Sequence, residues 1–368
     1  MEQNTLKRRG TGLIGSDREL ASPGYTLYAP LAGNGIVDLV DLDGELAHRW
    51  TLPYRPGRHA RLLDGELAYN GATLNIAPLF AMWRKYSGGS MGRYDAQGVL
   101  LNEIRDDYQH HDAHHYDDGR VLYATVEPLR GADAARIRGG VPGTEADGIV
   151  WSDVIREAAP DGTSLWEWRA VEHLDPAEFG LQPHYWREHW PLINSVYPLD
   201  EHTVVASLRS VSAVITIDRR TGKASTLADR ASLAQQHHAT PVGDGRILVF
   251  DNGTFRTGES VTYSRVVEID TATGDIAWSY QDSPREAFFT PFMGGAQRLP
   301  NGNTLITEAA FGRIFEVTPE RRIVWEYVVP SFTEYPDPDT AAVFPGISNA
   351  IFRAYRYRGE DIPWLGAL

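Results

Sequence analysis

Two histidines and an asparagine recur in phase along this chain. Each stands eight residues before a turn residue: His111 before Gly119, Asn194 before His202 and His237 before Gly245. Residues in phase within a structural repeat occupy equivalent positions, so the three are predicted to converge. A neutral imidazole can act as a nucleophile and a second one as a general acid or base, so this convergence predicts a catalytic site. The alternative interpretation is that these residues cap loops or bind water at the starts of strands.

A repeat of short strands would bring these residues together. Six segments combine a turn with a hydrophobic or tryptophan-bearing strand, and they begin at Gly44, Gly98, Gly162, Gly222, Gly274 and Arg321. A spacing of roughly 40 to 60 residues, built from short strands and turns, is typical of propeller blades arranged around one channel. The sequence therefore predicts an all-β, six-bladed β-propeller domain over residues 24–368, with an N-terminal extension over residues 1–23.

Turns also locate the strands within each blade. Four hydrophobic strands directly follow a turn and are predicted to be innermost: 121–125, 204–207, 247–250 and 304–307. The two longest interruptions, 127–148 and 173–190, are predicted to be insertions that roof one mouth of the channel. The second insertion is rich in histidine, proline and aromatic residues.

The charge balance argues against nucleic acid as a partner. The chain has 35 Lys and Arg against 49 Asp and Glu, a formal net charge of −14, whereas binding to phosphate backbones needs a cationic face. No apolar stretch is long enough to cross a bilayer, so no membrane partner is expected. The absence of cysteine excludes disulfides, thiolate metal sites and a cysteine nucleophile. The expected partner is a small aromatic molecule, and the sequence does not indicate an oligomeric state.

The start of the chain bears on its compartment. Residues 1–10 carry charge but are not followed by the apolar core of a signal peptide. A cytoplasmic location is therefore expected. A chain from which a leader had been removed would show the same start, and that chain would be periplasmic.

Two arginines extend the predicted site. Arg209 ends a strand in the blade that contains Asn194, and it either pairs with a carboxylate or holds an anionic group of a substrate. Arg313 has a similar place in its own blade, where a structural ion pair is the favoured interpretation.

A metal site is a further interpretation of the histidines. The run 109–115 contains four of them. His111 and His237, joined by His184 or His189 from the second insertion, could bind Zn, Mn or Fe. The alternative is a histidine-rich loop without metal, and no metal-binding helical pattern accompanies these residues.

Aromatic residues near the channel mouth are candidates to stack on a planar substrate. The candidates are Tyr185, Trp186 and Trp190 in the second insertion, and Phe288, Phe289 and Phe292 in a proline-bounded loop. For each residue the alternative is packing between blades or within a loop.

Several segments together resemble the bacterial arylsulfotransferase family. The resemblance rests on residues 109–112, 190–195, 207–209, 236–237 with 250–253, and 296–306 with 315–316, and extends in consistent order from about Gly24 to Tyr357. It implies a six-bladed propeller that transfers a sulfuryl group between phenols through a transient sulfohistidine, without a required cofactor. In that family His237 would match the histidine that is sulfated. His111, Asn194 and Arg209 would match residues that hold the sulfate and phenolic oxygens.

One position departs from the family pattern. The family has a histidine two residues before the asparagine, and Leu192 stands there in this chain. A different reaction in the same channel is therefore a second hypothesis. It would be a lyase or hydrolase in which His111 and His237 bind a divalent metal or serve as acid and base.

Overall fold

The predicted all-β propeller with six blades is confirmed. The computed structural model describes residues 10–365, and residues 1–9 of the predicted N-terminal extension lie outside the described residues. Six sheets surround the channel, and their strands are numbered along the chain and given below from the channel outwards.

The first three sheets contain the following strands. Sheet one has β28 (Ile351–Tyr357), β2 (Tyr25–Pro30), β3 (Ile36–Val40) and β4 (Leu46–Thr51). Sheet two has β5 (Pro56–Leu63), β6 (Glu66–Ala72), β7 (Gly89–Tyr94) and β8 (Leu100–Arg105). Sheet three has β9 (Gln109–His115), β10 (Val121–Leu129), β12 (Val150–Ala158) and β13 (Ser164–Arg169), with β15 (His189–Trp190) parallel to β12.

The other three sheets follow the same order. Sheet four has β16 (Ile193–Pro198), β17 (Thr203–Leu208), β18 (Ala213–Asp218) and β19 (Ala224–Ala228). Sheet five has β20 (His237–Gly243), β21 (Arg246–Asp251), β22 (Arg265–Asp270) and β23 (Ile276–Tyr280). Sheet six has β24 (Gly295–Arg298), β25 (Thr304–Glu308), β26 (Arg313–Val317), β27 (Ile323–Val328) and outermost β1 (Gly12–Ser16).

The ring is closed by strands from both ends of the chain. The last strand, β28, pairs antiparallel with β2 and supplies the innermost strand of sheet one. The strand β1, which falls within the predicted extension, pairs with β27 at the outer edge of sheet six. Both ends of the described chain are therefore fixed into blades.

The order of strands within the blades corrects one expectation. The hydrophobic strands predicted to be innermost belong to β10, β17, β21 and β25, which are second from the channel. A second strand is covered on both faces and reads as a continuous apolar run. The true inner strands carry the polar residues that face the channel, so they look less like strands in the sequence.

The recurring tryptophans join neighbouring blades. Each donates its indole N–H to a backbone carbonyl in an outer turn of the next blade: Trp50 to Asp95, Trp168 to Gly222, Trp278 to Pro319 and Trp325 to Leu42. Trp50, Trp168 and Trp325 are fully buried. The repeat in the sequence thus reports a repeated contact between blades as well as a repeated strand.

The two insertions form one roof over a channel mouth. The short strands β11 (Gly139–Val141) and β14 (Leu181–Trp186), one from each insertion, pair in parallel. Arg187 ties them further by donating to the carbonyls of Ile137 and Gly139.

Helices are few and short. The α-helices are Gly131–Arg136, Ala170–His173 and Pro338–Val343, and the 3-10 helices are Trp83–Lys85, Ala146–Gly148, Arg285–Ala287, Ala309–Phe311 and Gly359–Asp361. Between residues 10 and 365, none has the length and apolar character required of a membrane-spanning helix.

Bulges in the inner strands aim the side chains at the channel mouth. In β9 the pairing with β10 shifts between His110 and Ala113, so His111 lies in the bulge with a φ of 49°. Equivalent shifts occur around Asn194 in β16 and after His237 in β20. A bulge re-aims the side chains beside it, so successive residues here can face opposite ends of the channel.

Candidate active site

The roofed mouth of the channel contains a cavity of about 410 Å³, which we call the upper cavity. Its wall combines the bulged starts of inner strands, the second insertion and loops from neighbouring blades. The polar residues that line it include Arg58, Lys85, Tyr86, His111, Arg209 and His237. The structure therefore brings two of the three in-phase residues, His111 and His237, into one cavity.

The hydrogen bonds of His237 define its tautomer. Its Nδ1 lies 2.7 Å from Oδ1 of Asn252. The Asn252 amide nitrogen donates to the carbonyls of Thr290 and Met293, so the amide oxygen must accept from the ring. The His237 proton therefore lies on Nδ1 and the lone pair on Nε2, which accepts the Met293 backbone N–H at 3.2 Å.

His111 and His237 are both held neutral. Burial lowers the pKa of His237 well below its ordinary value, and the nearby Arg209 cation lowers it further. Burial likewise lowers the pKa of His111, with an additional contribution from His110. A neutral imidazole with a free lone pair is the form that can act as a nucleophile.

His111 is oriented by two neighbours. Its ring stacks on Tyr86, with centroids 4.3 Å apart and an interplanar angle of 29°, and its backbone N–H donates to the Tyr86 carbonyl. Its Nδ1 lies 2.9 Å from Nδ1 of His110. Within the described part of the chain, the His111 Nε2 has no protein hydrogen-bond partner.

Three cations line the upper cavity. Burial lowers the pKa of Arg58 to about 9 and that of Lys85 to about 8. Arg209 donates to the hydroxyl of Tyr185 at 2.5 Å, and the Lys85 ammonium lies 4.4 Å from the ring centre of Phe292. Within residues 10–365, no carboxylate forms an ion pair with any of the three cations. The cavity is therefore suited to an anion, although the whole chain is acidic.

Arg313, unlike Arg209, forms the structural ion pairs that the sequence analysis favours for it. It is buried between the carboxylates of Glu308 and Glu326, at 3.0 and 2.5 Å. Among residues 10–365, the hydrogen-bond partners of Arg209 are instead one hydroxyl and one carbonyl, which favours the anion-holding alternative for that residue.

Asn194 does not line the upper cavity. It occupies the equivalent bulge in β16, but its amide nitrogen donates to the carbonyl of Gln236 at 2.8 Å and its side chain is fully buried. Leu192, which also has a positive φ of 63°, lines the cavity instead. The repeat therefore predicts the backbone position of Asn194 correctly. The direction of its side chain is set by the hydrogen bond to the Gln236 carbonyl.

The aromatic candidates divide into two groups. Tyr185, Trp186 and Phe292 line the upper cavity, and the other three lie outside it. Trp190 is fully buried, with its indole bonded to the Phe179 carbonyl. Phe288 is buried between Phe250 and Phe315, and Phe289 is anchored by its backbone N–H to Glu308. These three positions instead contribute to core and loop packing.

The four histidines considered as metal ligands, His111, His184, His189 and His237, all line the upper cavity. However, no three of them have ligand atoms within 4.8 Å of one another among the described residues. The group that meets this spacing is His110, Asp153 and His189. Two of its members were not anticipated from the sequence.

Four ionisable cavity residues, Arg58, Lys85, Tyr86 and Glu188, were missed in the sequence. Arg58 belongs to the repeat, because it lies two residues before Ala60 just as His111 lies two before Ala113; its turn simply comes one residue earlier. Aligning the blades on this small residue would have found it. Lys85, Tyr86 and Glu188 come from loops outside the repeat, so no phase marks them. Burial raises the pKa of the Glu188 carboxyl to about 7.

The fold and this cavity define a β-propeller whose channel mouth contains three cations and the neutral histidines His111 and His237. A family model described as arylsulfotransferase (ASST) matches residues 92–329, more than half of the chain. The chain therefore belongs to the arylsulfotransferase family.

Comparison with solved structures adds support for the fold alone. A protein of unknown function from Bacteroides caccae has a TM-score of 0.52 and 14% identity, and the match covers 90% of this chain and 98% of that one. A weaker likeness, on which no conclusion about this chain rests, is to virginiamycin B lyase from Staphylococcus aureus, with a TM-score of 0.44 and 14% identity, covering 87% of this chain and 85% of that one. No curated protein matches the sequence.

Proposed function

We propose that this protein transfers a sulfuryl group from an aryl sulfate to a phenol, with His237 as the covalent carrier. The observation that carries the proposal is the pairing of a neutral, oriented imidazole with cations that lack carboxylate partners in one cavity. Family membership supports a transferase, and the residues of the cavity supply the chemistry.

In the first half-reaction, Nε2 of His237 gives up its contact with the Met293 N–H and attacks sulfur. The N–S bond forms as the bond between sulfur and the aryl oxygen breaks, and the phenolate leaves with that electron pair. The ring then carries a positive charge, and Asn252 stabilises it by accepting the Nδ1–H. The cations Arg209 and Arg58 neutralise charge on the sulfuryl oxygens as the transfer proceeds.

In the second half-reaction, an acceptor phenol loses its proton to solvent and its oxygen attacks sulfur. The electrons of the N–S bond return to Nε2 of His237, which restores the neutral ring. We assign His111 to the phenolic oxygen, because it lines the same cavity and its Nδ1 is already in contact with His110, which leaves Nε2 for the phenolic oxygen. Tyr185, Trp186 and Phe292 would contact the aromatic ring of either phenol.

The test is turnover of 4-nitrophenyl sulfate with a phenol as acceptor. We expect release of nitrophenol to depend on the acceptor concentration, with the parallel-line kinetics of a two-step transfer through a covalent intermediate. The product should be the sulfate ester of the acceptor. Release of free sulfate at the same rate without acceptor would assign a hydrolase instead, and the absence of nitrophenol release with every phenol would contradict the proposal.

A further inference from the structure

A cluster of three buried side chains lies behind the wall of the upper cavity. His110 belongs to β9, Asp153 to β12 and His189 to β15, so one blade supplies all of them. Each is almost completely inaccessible to solvent. The proposed transfer to His237 does not use these residues, and their burial calls for a separate explanation.

The three ligand atoms converge on one point. Nε2 of His110 lies 2.9 Å and Nε2 of His189 lies 2.8 Å from the same oxygen, Oδ1 of Asp153. Neighbouring ligands of a six-coordinate ion with bonds of about 2.1 Å are separated by about 3 Å, which follows from a right angle between the bonds. Both distances match this separation, and they also match N–H···O hydrogen bonds, so the choice between the two depends on the directions of the rings.

The direction of the His110 ring gives a second, independent observation. Despite its distance from Asp153, Nε2 of His110 is a buried nitrogen without a hydrogen-bond partner among the described residues. Its in-plane direction therefore does not point at the carboxylate oxygen. A buried imidazole nitrogen without a partner is costly, and an ion between the three side chains would satisfy it.

Contacts outside the cluster orient each member inward. Nδ1 of His110 lies 2.9 Å from Nδ1 of His111, and Nδ1 of His189 lies 3.1 Å from the hydroxyl of Tyr86. The second oxygen of Asp153 accepts the Ile193 backbone N–H at 2.8 Å. Metal ligands in proteins are held in this way, with the remote ring nitrogen or oxygen bonded to an outer residue.

We propose that His110, Asp153 and His189 bind a divalent first-row transition ion at the wall of the upper cavity. Two imidazoles and one carboxylate suit such an ion better than Ca²⁺ or Mg²⁺, which prefer oxygen ligands. Three protein ligands leave further coordination positions, and His189 itself lines the cavity. This goes beyond the proposed transfer, which needs no metal.

Binding of the ion would also affect the cavity through His111. With Nε2 of His110 bound to metal, the His110 proton lies on Nδ1 and is donated to Nδ1 of His111. The proton of His111 then lies on Nε2. The other explanation of the cluster is a metal-free one, in which Asp153 accepts protons from both rings and the His111 tautomer is reversed.

The experiment measures Co²⁺ binding to the tag-free protein after treatment with a chelator. We expect saturable visible absorption from Co²⁺ at one ion per chain, together with a stoichiometric transition metal in the protein as first isolated. His110→Gln and Asp153→Asn should weaken Co²⁺ binding by about 100-fold or more, since even outer contacts of a metal site contribute up to that much. Circular dichroism reports whether each variant is folded.

His114→Gln is the matched control, because His114 lies on the same strand and outside the cluster. It should bind Co²⁺ like the unmodified protein. Absence of saturable Co²⁺ absorption in the unmodified protein would overturn the proposal, as would equal losses in His110→Gln and His114→Gln. If His110→Gln fails to fold, the unmodified protein and Asp153→Asn decide. None of these readouts depends on sulfuryl transfer, so the two proposals fail separately.

Discussion

The two ends of the channel differ by a buried ion pair. The lower cavity, at the mouth away from the roof, has a volume of about 340 Å³ and is lined by His59, Asp112, His238 and Arg353. There the Arg353 guanidinium is paired with Asp112 at 2.8 Å, and His59 lies 3.6 Å from the same carboxylate. In the upper cavity, the described residues include no such carboxylate for Arg58, Lys85 or Arg209.

The two cavities are built from consecutive residues of the same strands. His111 and Asp112 in β9, and His237 and His238 in β20, face opposite mouths because the bulge separates their directions. A step of one residue thus moves from the upper cavity to a lower cavity in which Arg353 is paired with Asp112 and Arg61 donates to the His115 carbonyl. Burying unpaired cations costs free energy, and the lowered pKa of Arg58 reflects this cost. An anionic ligand would relieve it, which is why we locate binding at the upper end.

The sharpest way to test this contrast is to remove one histidine from each side of the bulge. His237→Ala should lower the rate of sulfuryl transfer by about 10⁴-fold or more, since the covalent carrier is lost. His238→Ala, at the adjacent lower position, should retain nearly all of the transfer rate in the same nitrophenol assay. Comparable losses in two folded variants would mean that the two ends are not functionally distinct.

A substitution in the lower cavity should change the stability of the protein rather than its activity. Arg353→Met leaves Asp112 buried without its cation, so we expect the free energy of unfolding to fall by about 3 kcal/mol. Urea denaturation followed by circular dichroism measures this change. An unchanged urea midpoint would show that the Arg353–Asp112 pair does not contribute to the stability of the fold.

A cation at the upper end should matter for catalysis more than for folding. Arg209→Met should reduce kcat/KM for an aryl sulfate by about 100-fold, because its charge stabilises the transferring group. Arg61→Met is the matched control, since Arg61 lines the lower cavity. Equal kinetic losses in both variants would remove the distinction between the two ends.

The smallest expected effect concerns pH. Burial lowers the pKa of Lys85 to about 8, beside the cations Arg209 and Arg58 and against the rings of Phe292 and Phe344. Deprotonation removes one positive charge from the cavity, so kcat/KM for an aryl sulfate should fall about tenfold from pH 7 to pH 9. Lys85→Arg should reduce this decrease, because the ordinary pKa of arginine is higher than that of lysine; the remaining decrease is expected from Arg58, with a pKa of about 9, and Glu188, with a pKa of about 7. An equal decrease in Lys85→Arg would show that Lys85 is not its origin.

The repeat predicted the fold well because strand, turn and tryptophan recur together. Its failures have a physical basis. The strands next to the channel carry polar residues, so the sequence pattern favours the apolar second strands β10 and β21, rather than β9 and β20, as the innermost strands. The predicted phase located the bulges of His111 and His237, since the number of residues from bulge to turn is the same in both blades.

The rest of the candidate site depends on contacts that no periodic pattern encodes. Asn194 is in phase, yet a carbonyl of the neighbouring blade holds its amide away from the cavity. Lys85 lies in a 3-10 helix between β6 and β7, and Glu188 lies between β14 and β15, so neither residue follows the repeat. His110 and Asp153 come from β9 and β12, which are separated by β10 in one sheet, so the cluster becomes visible only in three dimensions.

The most direct test of the central claim is to find the covalent intermediate. The protein is mixed with 4-nitrophenyl sulfate in the absence of acceptor, quenched in base and analysed by peptide mass spectrometry. The account predicts one added sulfuryl group on His237, absent in His237→Ala, retained in His238→Ala and lost when a phenol is added before quenching. Sulfuryl transfer that proceeds without an adduct at His237, or with the adduct on another residue, would contradict it.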